Sequence, residues 1–371
     1  MSDAQLYARY LLQGWRRRLT RGGPIFVTLF VTSRCNARCG HCFYRRRFEL
    51  TRGQGELSLT EYRRVAASMA PFSWMLVGGG EPFLRDDLAG ILEAFYLRNK
   101  VRKFTIPTNG TLPDRVEALT SEILVRCPTA RIQIQLSMDG VGQAHDLVRG
   151  FPGAFERLME THQRLRTLQQ DQERLDLVFN FTLSSFTLGN IQQVCDHLSG
   201  ELNTRRLQLV VVRGETYDSE AGQLTPQQCA AAMAQVDRFC LEPEQDRGGG
   251  ALPALLQRDL DTRRSLTMER IQQSLDGSRR PFRGCHAGVL DMVIDEQGQV
   301  FPCEMLSAPA GDLRRCDYDF GHIWRSPEMA RIRRHIANQQ CRCTHETSVT
   351  NSFYFSLSSY YSLLRRFIAQ G

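Results

Sequence analysis

No stretch of this 371-residue sequence is apolar for long enough to cross a bilayer: the longest run, "IFVTLFV" at 25–31, covers a single buried strand. There is no internal repeat and no long low-complexity segment, which excludes a solenoid and a disordered linker protein. Charge of one sign is also scarce, with 47 basic against 40 acidic residues and a net charge of +7. So mild an excess argues against a dedicated nucleic-acid binder, and the runs Arg16-Arg17-Arg18 and Arg45-Arg46-Arg47, without interleaved aromatics, read as solvated faces. The first 24 residues read as an amphipathic helix with a basic end, lacking the apolar core and cleavage site of an export signal. The expectation is a soluble, cytoplasmic protein with no membrane partner.

Cysteine is what the sequence does have, twelve in all. In a reducing compartment that number is poorly explained by disulfides, so metal ligation or redox chemistry becomes the leading explanation.

Short β-branched or aromatic runs recur at Phe26–Thr32, Trp74–Val77, Lys103–Pro107, Ile132–Ser137, Leu177–Leu183 and Leu207–Val212. Amphipathic stretches at 59–70, 88–100, 154–170 and 190–200 lie between them. This alternation predicts an α/β fold with a parallel sheet, open or curved into a barrel. Polar residues at 79–81, 108–110, 137–140 and 213–214 fall just past the carboxyl ends of the strands, where parallel α/β folds build active sites. Residues 216–283 read as a polar connection with two helices. From 284 onward the pattern gives two short strands around a Gln297-Gly298 turn and an aromatic tail helix, a small α+β domain over 284–371.

Cys35, Cys39 and Cys42 stand in "SRCNARCGHCFY" directly after the first strand. A buried helical stripe would place thiols at these spacings, but Asn36, Arg38, Gly40 and His41 are poor helix-interior residues and favour a loop. Structural zinc takes four closed ligands, whereas three thiolates on a four-iron cluster leave one iron open. Together with "VGGGEP" at 77–82, "TNG" at 108–110, "LSMDGVGQAHDLVRG" at 136–150, Asn180 and "VVRG" at 211–214, the loop resembles the hallmark of the radical S-adenosylmethionine superfamily.

That resemblance covers residues 25–215 and implies a partial (β/α)6 TIM-like barrel. It also implies a [4Fe-4S] cluster on Cys35, Cys39 and Cys42 whose open iron takes the amino and carboxylate groups of S-adenosylmethionine. Cleavage of that cofactor would give a 5′-deoxyadenosyl radical that removes hydrogen from a small-molecule or peptide substrate, with a flavodoxin or ferredoxin as reductase. Gly79, Gly80 and Glu81 would lie at the methionine amine. Ser137 and Asn180 are candidates for ribose or carboxylate contacts, and Arg149 for the carboxylate, against readings as a strand-end cap, a strand polar position and a surface ion pair. His41 would stack on the adenine or face solvent, and Asp139 is as well explained by a turn.

"CHAGVLDMVIDEQGQVFPCE" and "CRCTHE" resemble the SPASM or shorter Twitch extension of this superfamily. By that resemblance, Cys285, Cys303, Cys341 and Cys343 bind one auxiliary [4Fe-4S] cluster; Cys316 as a substitute ligand and zinc as the metal stay open. Cys127, Cys195, Cys229 and Cys240 read as packing residues. An iron–sulfur electron carrier and a zinc-bound interaction protein are the rival functions, and the Gly-Gly-Glu element argues against the carrier.

Overall fold

The computed structural model of the chain describes residues 3–241, 265–274, 284–338 and 344–356. Six strands carry the first half: β1 (Phe26–Thr32), β2 (Trp74–Gly79), β3 (Lys103–Thr108), β4 (Arg131–Ser137), β5 (Leu175–Leu183) and β6 (Leu207–Val211). They pair in parallel and in chain order, β1 with β2 through to β5 with β6. Each crossover is right-handed by the geometry of parallel units, so an unreversed order stacks the helices on one face and curls the sheet. The curl stays open, because the free edge of β1 pairs with a later strand and not with β6.

Helix α1 spans Asp3–Thr20. After β1 come α2 (Arg45–Thr51) and α3 (Leu59–Ser68), the latter started by a Ser58–Glu61 capping box. Then follow α4 (Leu88–Asn99), α5 (Pro113–Arg126), α6 (Gln143–Arg149), α7 (Ala154–Gln170), α8 (Ile191–Gly200) and α9 (Pro226–Leu241). Their apolar faces, such as Val116, Leu119 and Ile123 of α5, close over the sheet in one continuous core. The periodicity reading did not single out α2, α5 or α6. Two helices are expected in the connection; among its described residues the helices are α9 and residues 265–274, labelled α10.

Beyond the connection, β7 (Asp291–Ile294) and β8 (Gln299–Phe301) form the expected hairpin, and β8 pairs with β9 (Gly311–Asp312). Sequence reading did not foresee that β7 lies parallel to β1, from Phe26↔Asp291 to Leu29↔Ile294, making one nine-stranded sheet. The C-terminal part is thus built on the edge of the first sheet. It continues through α11 (Phe320–Trp324), α12 (Pro327–Asn338) and α13 (Glu346–Tyr354). The expected packing of the tail against the body is seen for Tyr354 and Phe355, which join Tyr10, Ile25, Phe26 and Leu290 in a second apolar cluster. No helix among the described residues is long and apolar enough to cross a membrane.

Candidate functional site

The loop from Ser33 to Tyr44 leaves the carboxyl end of β1 as irregular backbone, not as a helix. Neighbouring elements supply the bonds a loop lacks. Arg38 N–H donates to Arg149 O (2.8 Å), Tyr217 N–H to Cys42 O (3.0 Å) and Asp218 N–H to Gly40 O (2.9 Å). Asn36 bridges to Asn109 (2.8 Å) and Thr111 (2.7 Å) past β3. Tyr44 and Arg47 tie its far end to Glu296 and Asp295 at the β7–β8 turn. This corrects the reading of Arg45–Arg47 as a solvated run: Arg47 is mostly covered, and Arg45 lies 3.6 Å over the Tyr217 ring.

The glycines of "VGGGEP" serve the same loop. Gly79 adopts φ +118°, and a Cβ there would stand 2.3 Å from Thr32 O; one at Gly80 would stand 2.0 Å from Arg34 O. Gly80 and Glu81 N–H donate to those two carbonyls at 2.8 Å each. The close approach that sequence reading assigned to the methionine group is thus made first by the cysteine loop's own backbone.

Burial pushes the Cys35 thiol up to about 12, with the Glu81 charge adding to it, and Cys42 up to about 11; Cys39 is also raised by burial. Cys35 and Cys42 each lie close enough to Cys39 for its charge to disfavour their ionisation. Protons on such thiols leave readily only when a metal centre takes their place. Among the described residues no three His, Cys, Asp or Glu side chains converge as ligands of one metal ion. Three thiolates that each hold a different iron need a wider arrangement than that.

Glu81 is 2% exposed and forms no contact ion pair among the described residues, feeling only the charge of Arg149 at a distance. Its carboxylate accepts from Thr108 Oγ1 (2.9 Å), Asn109 N–H (2.8 Å) and Phe83 N–H (3.2 Å), yet burial still pushes its pKa up to about 7. A carboxylate held in place and short of a cation fits an ammonium group.

Arg149, at the last turn of α6, is buried at 7% exposure, which sets aside the alternative of a surface ion pair. Its Nη1 lies 3.8 Å from Cys39 Sγ and its Nη2 2.7 Å from Asp139 Oδ2, the latter in ion-pair contact but out of line for a hydrogen bond. Asp139 is fully buried. Its Oδ1 accepts from Thr182 N–H (2.9 Å), and its main chain from Asn190 Nδ2 (2.8 Å). Burial, the largest effect, opposes its charge, but Arg149, the two histidines His41 and His145 and the Thr182 N–H together hold its pKa low. His41 does not face solvent. Its Nε2 lies 3.6 Å from Asp139, its Nδ1 has no partner among the described residues, and burial drives its pKa down to about 4. Ser137 and Asn180 are paired across β4 and β5, and Asn180 Oδ1 is buried without a partner among the described residues. The structure brings His41, Gly79, Gly80, Glu81 and Arg149 around the cysteine loop, while Ser137 and Asn180 lie side by side at the ends of β4 and β5. Asp139, Asn36 and Asn109 are the members that spacing undervalued.

In the second half, Cys285 and Cys303 are half-buried. Cys341 and Cys343 lie outside the described residues. Ala287 N–H points at Cys285 Sγ (3.5 Å) and Met305 N–H at Cys303 Sγ (3.4 Å), as Tyr44 N–H does at Cys42 Sγ (3.4 Å). Such donors from two residues on stabilise thiolate, and the same bond reaches Cys35 from Ala37. Among the described residues no backbone donor of this kind reaches Cys127, Cys195 or Cys229. Beside Cys303, buried Glu304 bonds Arg213 (3.0 Å) and His345 (3.2 Å), and Arg213 reaches Glu346 (2.7 Å), fastening the end of β6 to the C-terminal segment.

The radical SAM superfamily model matches residues 29–183, and an iron–sulfur cluster-binding domain model, SPASM, matches 285–344. The AdoMet-dependent heme synthase of Methanosarcina barkeri is 26% identical over 328 residues, covering 86% of this chain and 87% of that one. The pre-heme d1 synthase of Dinoroseobacter shibae is 28% identical over 48% of this chain and 42% of its own. Among solved structures, native anSMEcpe with bound AdoMet has a TM-score of 0.58 at 15% identity, over 92% of this chain and 98% of that chain. Streptococcus suis SuiB has a TM-score of 0.57 at 15% identity, over 90% and 74%. The chain thus carries a radical SAM domain and a SPASM iron–sulfur domain, those of an enzyme whose cofactors are a [4Fe-4S] cluster, S-adenosylmethionine and auxiliary iron–sulfur.

Proposed function

We propose that Cys35, Cys39 and Cys42 hold the cluster that S-adenosylmethionine completes, and that the enzyme oxidises a tetrapyrrole-class precursor in cofactor biosynthesis. The buried carboxylate of Glu81, fixed by three donors but in contact with no cation among the described residues, carries the assignment of the cofactor site. When bound, the cluster and S-adenosylmethionine supply a 5′-deoxyadenosyl radical able to remove hydrogen from an unactivated C–H bond.

The chain's own residues place and shield that chemistry. Glu81 receives the methionine ammonium, with Gly79 and Gly80 locking the cysteine loop to the same strand end. Asn180 Oδ1 and Ser137 offer acceptors for hydroxyl groups of the nucleoside. Arg149 lies behind Cys39, where its charge offsets thiolate charge, and Asp139 holds both Arg149 and His41 in position. Burial of Asp139, His41 and Arg149 keeps water from the loop's inner side. Cys285 and Cys303, with Cys341 and Cys343, hold the auxiliary cluster, and a flavodoxin- or ferredoxin-type protein supplies electrons.

The substrate class rests on likeness over nearly the whole chain to heme synthases. A peptide is the second reading, supported by 30% identity over 37% of this chain to the subtilosin biosynthesis protein AlbA of Bacillus subtilis. The test is anaerobic incubation of reconstituted, reduced enzyme with S-adenosylmethionine and, in separate reactions, carboxylate-bearing iron tetrapyrroles or cysteine-containing peptides. Stimulated 5′-deoxyadenosine release with a mass change in a tetrapyrrole is expected. A mass change confined to peptides replaces the first reading with the second.

A further inference from the structure

At the amino ends of the strands, opposite the cysteine loop, α1 and the segment before β2 enclose an open groove of about 690 Å³. Arg9, Leu12, Gln13, Arg16, Arg17 and Pro71 line it. The apolar face of α1 is already spent against Ile25, Phe26 and Phe355, so the groove lies on the helix's other side. Among the described residues its cations are held but not neutralised. Arg9 Nη2 donates to Lys100 O (2.8 Å) and Arg17 Nη2 to Pro71 O (3.1 Å), carbonyls that fix a guanidinium without cancelling its charge. Next to Arg9, Lys100 and Arg102 likewise bond only carbonyls among the described residues. Burial, and repulsion from Arg102 and Arg16, lower the pKa of Arg9 and Arg17. Arg16 is exposed, and Leu12 between these charges is 74% exposed.

We infer that this groove is a docking surface for an acidic amphipathic helix of a partner protein. Arg9 and Arg16 are two helical turns apart, about 10.5 Å at 1.5 Å per residue. That spacing suits carboxylates two turns apart on a second helix, with an apolar side chain between them meeting Leu12. The concave form and pre-placed guanidinium groups favour carboxylate pairing over a flat lipid surface. The far end of the barrel from the cysteine loop leaves the reaction site open while the partner is bound.

The test measures fluorescence anisotropy of a fluorescein-labelled synthetic helix that carries glutamates two turns apart around a leucine, with holoenzyme at low and high salt. Binding that weakens with salt is expected, as is a loss of roughly tenfold in affinity in Arg9→Glu/Arg16→Glu. The exposed single substitutions Arg16→Glu and Leu12→Asp lower it by smaller factors. All variants keep wild-type 5′-deoxyadenosine formation, showing an intact fold. Unchanged binding in the double variant overturns the inference. So does stronger retention on phosphatidylglycerol vesicles or on a short RNA than on the peptide.

Discussion

The two cysteine sets are built in opposite ways. Cys35, Cys39 and Cys42 sit within one loop, clasped by backbone bonds from the ends of β1 and α6 and from residues 217–218, and by the Gly79–Glu81 turn. Cys285 and Cys303 flank a hairpin added to the sheet edge, where ion pairs such as Arg213–Glu304 and Arg213–Glu346 do the fastening. Backbone clasps tolerate little change, because a carbonyl at contact distance cannot yield to a Cβ. Side-chain clasps instead lose partners one at a time. The first set is therefore expected to be rigid and all-or-none, and the second to be separable from cofactor cleavage.

Cys303→Ala breaks the comparison most sharply. Loss of about four of about eight irons is expected, with substrate conversion abolished but uncoupled 5′-deoxyadenosine formation retained, as iron analysis and chromatography will show. Equal loss of both activities would mean that the two sets are one unit. Next in size, Glu81→Gln keeps the iron content and weakens S-adenosylmethionine binding by roughly 10- to 100-fold, measured by isothermal titration under anaerobic conditions.

Gly80→Ala probes the clasp itself. The added methyl meets Arg34 O, so a destabilisation of roughly 1–3 kcal/mol and faster iron loss are expected in thermal unfolding and chelator challenge. A Gly189→Ala control, where a Cβ meets nothing within 4 Å, lacks that clash. The smallest effect concerns the barrel core. Burial holds His162 neutral, its pKa lowered to about 4. The unfolded chain binds that proton from about pH 6.5 and the folded chain only near 4, so stability is full above 6.5 and falls as pH drops between the two. Melting temperatures at pH 7.5 and 5 in wild type and His162→Gln should show a shallower acid loss in the variant.

What the sequence made legible follows from the same contrast. Strand β1 and helix α7 match their expected bounds because β-branched alternation and 3.6-residue periodicity are local signals. The cysteine loop was legible because its three thiols are contiguous. Helix α6 escaped notice, being one short segment between Gly142 and Gly150, and with it went the burial of Arg149. The pairing of β7 with β1 escaped because it joins residues more than 260 positions apart. Arg45–Arg47 misled for the same reason: Asp295 and Glu296, which take up Arg47, are distant in the chain. Asp139, an ordinary turn residue by sequence, becomes the hub of the buried charges only when α6 and β5 close on it.

The central claim is that the first three cysteines alone carry the cluster that S-adenosylmethionine completes. Its most direct test combines iron analysis with 5′-deoxyadenosine chromatography on an anaerobically reconstituted Cys35→Ala/Cys39→Ala/Cys42→Ala protein. The account predicts about four remaining irons and no 5′-deoxyadenosine. Cofactor cleavage by that variant would contradict it.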